Sequence, residues 1–228
     1  VLSSSKTGNE GLKERSFKLA QILIFQKEKV LVIGHSLGGL VARLALRNPL
    51  AARKVAATVT ISTPHEGTPV GDWLLSDQTL PKGAALLAQA FGFKLSDKKY
   101  LAELSVASKD RWNTALDHSR HIKNLYSVVA AQNRLELVTS NPLFALGDQV
   151  VRASSEIDES RQSDGLVPVD SQMWGECLLF VRKNHGSVLG KDGFSRPSRE
   201  VLWRQHQRRR LQVGIEGPGI IRIEEAYR

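Results

Sequence analysis

Cysteine is almost absent. Cys177 is the only one in 228 residues, so no disulfide can close within the chain and no cysteine-built zinc site is available. Long apolar runs are missing as well: nothing approaches the roughly 18 consecutive apolar residues of a membrane-spanning helix. The formal charge is +9, with much of it in Arg204 and Arg208 to Arg210. No aromatic residues interleave with these arginines and no nucleic-acid motif accompanies them, so they read as a solvated basic tail that also suits an anionic lipid surface. There is no internal repeat, low-complexity tract or linker. The chain opens on Val1, and its sole methionine is Met173, so the true start, with any signal peptide, is expected upstream.

The stretch from Val30 to Leu40 organises the rest. Apolar Val30 to Ile33 leads into Gly34-His35-Ser36-Leu37-Gly38, and the helix-competent segment Leu40 to Leu46 follows. Strand, sharp turn and helix with the form G-x-S-x-G describe a nucleophile elbow, in which small residues such as Gly34 and Gly38 let helix and strand approach. A serine hydroxyl is a weak nucleophile until a base takes its proton, so Ser36 implies a histidine and a carboxylate further along.

Around this core the periods alternate. Thr7-Gly8-Asn9-Glu10 has capping-box spacing ahead of a helix over 9–26. A strand over 29–34, a helix over 37–47 stopping before Pro49, and a strand over 55–62 follow. Val1 to Ser3 reads as the stub of a preceding strand. Such alternation predicts an α/β protein with a mostly parallel sheet covered by helices on both faces. After Ile61 the run Ser62-Thr63-Pro64-His65-Glu66-Gly67-Thr68-Pro69 is a loop beyond a strand's carboxyl end, where ligands bind in open α/β sheets.

A helical insertion then occupies about 70–120, marked by Leu86, Leu87, Ala90, Phe91, Phe93, Leu101, Leu104, Trp112 and Leu116. Its segment 80–95 reads as a mobile amphipathic cover, with Leu86, Leu87, Ala90 and Phe91 on one face. Leu125 to Ala131 is a strand, residues 135–157 resist assignment, and Leu178 to Val181 is the last clear strand. A helix is expected over 197–212. The tail 213–228 shows no packing role, which leaves one domain over 1–212.

Six histidines compete for the role of base. His35 sits inside the elbow and cannot easily turn back on Ser36. His118, His121 and His206 lie in helical or polar segments, and His65 precedes every plausible acid. His185 stands just beyond a strand end, and the order serine, acid, histidine favours it. Asp148, Asp158, Asp164, Asp170 and Glu176 fall between Ser36 and His185. Asp164, on a tight turn with Gly165, is preferred to Asp170 as the group that fixes the histidine tautomer.

Taken together, Gly34 to Gly39, Ser62 to Gly67, Ser163-Asp164-Gly165-Leu166-Val167-Pro168, Asn184-His185 and Arg204-Gln205-His206 resemble, in order, the bacterial true lipases of the Pseudomonas and Burkholderia type. The resemblance covers roughly 1–212. It implies an α/β-hydrolase fold acting on acylglycerol esters at a lipid–water interface, Ser36, Asp164 and His185 as the triad, the insertion as a lid, and secretion.

The chain departs from that pattern in three places. Relatives hold calcium with an aspartate and a glutamine two and six residues beyond the catalytic histidine, where this chain has Ser187 and Lys191; a lysine ammonium cannot ligate a cation, so no metal or other cofactor is expected. The relatives' disulfide cannot form. Of the two oxyanion donors, the backbone N–H of Leu37 is present, whereas the loop that carries the other, before the nucleophile strand, is not among these residues. The leading expectation is a serine ester hydrolase working through an acyl-enzyme. An acyltransferase of the same fold, or a non-catalytic hydrolase-like binding module, are the alternatives.

Overall fold

The computed structural model describes residues 11–76, 83–108, 124–154 and 162–189, together with the backbone of 219–223. In helix α1 (Leu12–Ile24), Leu12, Ser16, Leu19, Ala20 and Leu23 recur every three or four residues and turn inward. Its N-cap residue, Gly11, has no side chain to cap the start. Instead the Leu12 N–H donates to Glu103 Oε2 at 2.9 Å, which ties α1 to the insertion. The capping box expected at Thr7 to Glu10 lies outside the described residues.

Strand β1 (Val30–His35) follows, then α2 (Leu37–Ala45), α3 (Pro49–Arg53) and β2 (Val55–Ile61). Asn48 caps α3 by accepting the Leu50 and Ala51 amides. The insertion supplies α4 (Pro69–Leu75), α5 (Gly83–Ala90), α6 (Lys98–Leu101) and two 3₁₀ turns, Ala102–Leu104 and Val106–Ser108. Strand β3 (Leu125–Ala130) returns to the sheet. The stretch 135–157, which resisted assignment, contains two helices, α7 (Arg134–Ser140) and α8 (Pro142–Ala153). Asn133 and Glu136 form a capping box for α7, and Asn141 with Pro142 starts α8. A short α9 (Val169–Gln172), β4 (Glu176–Val181), a 3₁₀ turn (Ser187–Leu189) and β5 (Gly219–Ile223) complete the described elements.

The sheet runs β4-β3-β2-β1-β5 with every neighbouring pair parallel. Apolar clusters lie on both sides of its central strands: Val30 and Val32 pack with the helices, and Leu31, Ala57, Val59 and Ile61 join a second cluster with Tyr126 and Val128. This is the parallel α/β sheet that the alternation predicts, in the α/β-hydrolase-like fold that the resemblance implies. One expectation needs correcting: Gly219–Ile223, within the segment read as a tail without a packing role, pairs with Val30 to Gly34 of β1. Its Ile220, Ile221 and Ile223 have strand propensity, but Gly214, Gly217, Pro218 and Gly219 immediately before them masked the signal. No helix among the described residues is long and apolar enough to cross a membrane.

Helix α5 is buried on the side carrying Ala84, Leu87 and Ala88, and Phe91 and Phe93 beyond it are buried too. Leu86 leaves the face on which it was expected and is 54% exposed. The period explains this: positions 84, 87, 88 and 91 share a stripe, and 86 lies off it. Residues 77–82 and 109–120 of the insertion, and the helix expected over 197–212, lie outside the described residues.

Several polar groups inside the core have specific partners. The Gln172 side chain accepts from the Ala130 N–H at 2.8 Å and donates to the Ala130 and Val167 carbonyls at 2.9 Å each, which fastens the end of β3 to the segment before β4. His35 donates Nε2–H to the His185 carbonyl at 3.1 Å, while its Nδ1 is buried without a partner. His65 accepts at Nδ1 from Arg43 Nη1 at 3.2 Å and donates Nε2–H to Thr60 Oγ1 at 3.1 Å. Both rings are therefore neutral. Burial pushes both far below the ordinary value of 6.5, and the nearby His185 and Arg43 charges push His35 and His65 further down. Burial also lowers Arg43 to about 10, which still leaves it cationic at neutral pH as it lies over the Trp174 ring.

Two stability predictions follow from this polar core. Gln172→Leu strands the Ala130 N–H and carbonyl, at about 1–3 kcal/mol for each buried group left unpaired. The urea midpoint should fall while the slope stays the same. The two histidines refuse protons in the fold that the unfolded chain accepts below its ordinary range, so their contribution is complete above pH 6.5. It is lost as pH falls, at up to about 1.4 kcal/mol per pH unit for each histidine. Urea titrations between pH 7.5 and 5, as rough bounds of the window in which unperturbed histidines titrate, should show this decline, and His65→Gln should remove one histidine's share of it.

Candidate active site

Ser36 holds φ 52° and ψ −127°, a conformation that side chains rarely adopt, at the junction of β1 and α2. Its N–H donates to the Ile61 carbonyl at 2.9 Å, which locks the turn to the end of β2. A Cβ at Gly34 would come within 2.6 Å of the Gly38 carbonyl oxygen and the Gly39 nitrogen, and one at Gly39 would run into the Thr63 side chain. The close approach thus falls at Gly34 and Gly39, and Gly38 contributes backbone to it. Leu37 is the first residue of α2, where an amide has no acceptor within the helix. That is where the sequence places an oxyanion donor.

The three residues singled out from the sequence meet. His185 Nε2 lies 2.9 Å from Ser36 Oγ, and His185 Nδ1 lies 2.8 Å from Asp164 Oδ2. A carboxylate only accepts, so Nδ1 carries the proton and Nε2 is free to take one from Ser36. The other carboxylate oxygen of Asp164 accepts the Leu166 and Val167 amides at 3.0 and 2.8 Å. A backbone bond from the His185 N–H to the Asp164 carbonyl, at 2.8 Å, joins acid and base a second time. Gly165, at φ 97°, makes the turn, and a Cβ there would press on Phe144.

The remaining acids are placed elsewhere. Asp148 is buried against Arg152 and Ser163. Asp170 is exposed and accepts the Ser171 amide, and Glu176 is exposed on β4. Asp158 lies outside the described residues, as do His118, His121, His206 and the Arg204 to His206 motif. His65 sits under the site rather than in it: its N–H donates to the Ser171 carbonyl, and its ring lies against Trp174.

Two aromatic rings lie against the base, and only one of them, Phe91, was read from the sequence. Phe91 and Phe144 flank the base, with ring centroids 5.9 and 6.3 Å from that of His185. His185 and Asp164 have no exposure and Ser36 has 1%. Residues 87 and 91 pointed to a cover, but Phe144 lies in the stretch that had no assignment.

The calcium ligand set of the resembled lipases does not fit the residues described. Ser187 Oγ accepts the Asn184 N–H at 3.1 Å and the Ser187 N–H donates to Asn184 Oδ1 at 2.9 Å, a closed local ring with no carboxylate. Lys191 lies outside the described residues. Among the described residues no group of three or more His, Cys, Asp or Glu is placed to hold a metal.

Among solved structures, the chain is similar to the mature form of a Bacillus licheniformis lipase, at 18% identity and a TM-score of 0.65 over 86% of this chain and 75% of that one. It is also similar to a metagenomic carboxyl esterase at 20% identity and a TM-score of 0.65, covering 87% of this chain and 63% of the esterase. The propeptide form of the Bacillus lipase aligns at 17% identity and a TM-score of 0.56, over 85% of this chain and 40% of that one. At these identities the likeness establishes the shared fold. No curated protein matches the chain. The narrower likeness to Pseudomonas and Burkholderia lipases rests on the motifs alone. A family match runs from residue 19 to residue 142, more than half of the chain and across the Ser36 elbow, and by it this chain belongs to the PGAP1-like alpha/beta domain family.

Proposed function

We propose that the protein is a serine hydrolase of carboxylic esters, with acylglycerol-like lipid esters as the substrate class. The observation that carries this reading is the continuous relay from Ser36 Oγ through His185 to Asp164, buried and with its tautomer fixed. In the reaction His185 Nε2 takes the Ser36 proton as Oγ attacks the ester carbonyl. The Leu37 N–H faces the developing oxyanion, and the imidazolium then protonates the departing alkoxide. Water, deprotonated by the same His185, releases the acid from the acyl-Ser36 ester. Asp164 stays ionised and stabilises the imidazolium.

The apolar surroundings favour a lipid ester over a polar one. Phe91, Phe144 and α5 exclude water from the site, so an ester reaches Ser36 only when that cover shifts. Leu86, exposed on α5, supplies an apolar contact for an interface. The lipase and esterase names of the solved structures with this fold point the same way. We further propose that the site works without a metal, since Ser187 is already engaged by Asn184.

Hydrolysis of dissolved nitrophenyl esters and of emulsified triacylglycerols tests the reading. Ser36→Ala should lower kcat by about a millionfold with the thermal melt unchanged. Activity retained in that variant would remove Ser36 from the mechanism. Leu86→Asp should leave hydrolysis of dissolved esters intact and reduce that of emulsions. Equal rates on emulsions would show that α5 is fixed cover. A chelator should change neither rate nor melting temperature, and a loss reversed by calcium would overturn the metal-free assignment.

A further inference from the structure

The catalytic acid sits on an irregular segment, and such a segment needs an anchor to hold a carboxylate in position. Asp148, on α8 and fully buried, accepts from Ser163 Oγ through Oδ1 at 2.7 Å and from Arg152 Nε through Oδ2 at 2.7 Å. Ser163 precedes Asp164 in the chain. Its hydroxyl has one proton, and once Asp148 takes it the oxygen is free to accept the Gly165 N–H, which it does at 3.1 Å. The Ser163 carbonyl accepts the Gln132 N–H at 3.0 Å, pinning the same residue to the segment after β3. Contact is so close that a Cβ at Gly147, next to Asp148, would collide with the Gly165 carbonyl. The residues on either side of Asp164 are thus both held by Ser163 Oγ, and Ser163 Oγ is held by Asp148. A second buried carboxylate this near the acid would be costly alone, and the Arg152 guanidinium offsets its charge.

We propose that Asp148 and Ser163 are positioning residues that aim Asp164 at His185, acting through the turn and touching neither substrate nor base. The proposal rests on Asp164 and His185 forming the acid–base pair proposed above. Ser163→Ala should lower kcat on a dissolved ester by about a hundredfold with KM unchanged, the size of effect expected when a catalytic group is misplaced by about 1 Å. It should also broaden or abolish the low-field proton resonance of His185 Nδ1–H. Ser163→Thr, which keeps the hydroxyl, should restore both. Asp148→Leu should match Ser163→Ala, and the double variant should be no worse than either, because the two act through one link.

If Ser163→Ala does not fold, Ser163→Cys takes its place, keeping the volume while weakening both hydrogen bonds. A lowered melting temperature with unchanged kcat and an unmoved resonance would overturn the proposal, leaving the pair a purely structural brace. So would additive losses in the double variant. The resonance is read without turnover, so a wild-type protein that cleaves no ester yet loses the resonance in Ser163→Ala would sink the proposed activity while supporting the positioning.

Discussion

Ser36 is held in a backbone conformation that costs on the order of 1–3 kcal/mol for a residue with a side chain, and the surrounding core enforces it. The Ser36 N–H is fixed to Ile61, the last residue of β2, and the two glycines that tolerate contact let α2 lie directly on β1. The pairing of β1 with β2 and the packing of α2 against α1 therefore share one consequence. They present a hydroxyl at the carboxyl edge of the sheet, outside the ladder, where loops from the far end of the chain can reach it. A relaxed turn would place Oγ elsewhere, and His185 would have nothing to deprotonate.

Three histidines are buried in this core, and the hydrogen-bond partners sort their roles. His35 spends its proton on the His185 carbonyl and keeps the other nitrogen bare, so it cannot easily become charged. That restraint matters for the base. A second positive charge 4.9 Å from the His185 ring would oppose the imidazolium by on the order of 3 kcal/mol at an effective dielectric of about 20. This is enough to cancel much of what Asp164 contributes. His65, neutral for the same reason of burial, hands its acceptor nitrogen to Arg43 and so lets a cation sit under Trp174 at the base of the loop. That leaves His185 as the histidine hydrogen-bonded to Ser36, with Asp164 behind it.

The parts of this arrangement that were legible in the sequence are those that local chemistry dictates. Val30 to Leu40 announces strand, turn and helix within eleven positions, Asp164-Gly165 announces a tight turn, and Asn184-His185 announces a loop at a strand end. The preference for Asp164 over Asp170 came from turn chemistry and was strengthened by the resemblance; Asp164 lies against His185 and Asp170 is exposed. Helices α7 and α8 were hidden because Leu135 and Val138 face solvent and blur the period, although the caps at Asn133 and Asn141 carried the signal. The contacts of Phe144 with His185 and of Asp148 with Ser163 join residues whose proximity depends on tertiary packing, so no spacing rule reveals them. The same locality limits the motifs as a guide to family. Elbow and turn motifs follow from the geometry of the fold, and they recur wherever that geometry does.

Burial of the triad has a chemical consequence beyond protection. With His185 and Asp164 out of water, the hydrogen bonds of the relay act in a medium of low effective dielectric, where each is stronger and any unpaired group is costly. Asp164 meets that condition by accepting two amides and the base, so its charge is solvated by protein dipoles already in place. Ser36 and His185 satisfy each other only until a substrate enters. Under the proposed function, this burial does two things at once: it stabilises the resting relay, and it sets a barrier that a substrate offsets with apolar contacts of its own to Phe91 and Phe144. A small polar ester brings little such surface, and a lipid ester brings much. On that proposal, substrate preference is set at the entrance by the energetics of displacing the apolar cover, before the chemistry at Ser36 begins.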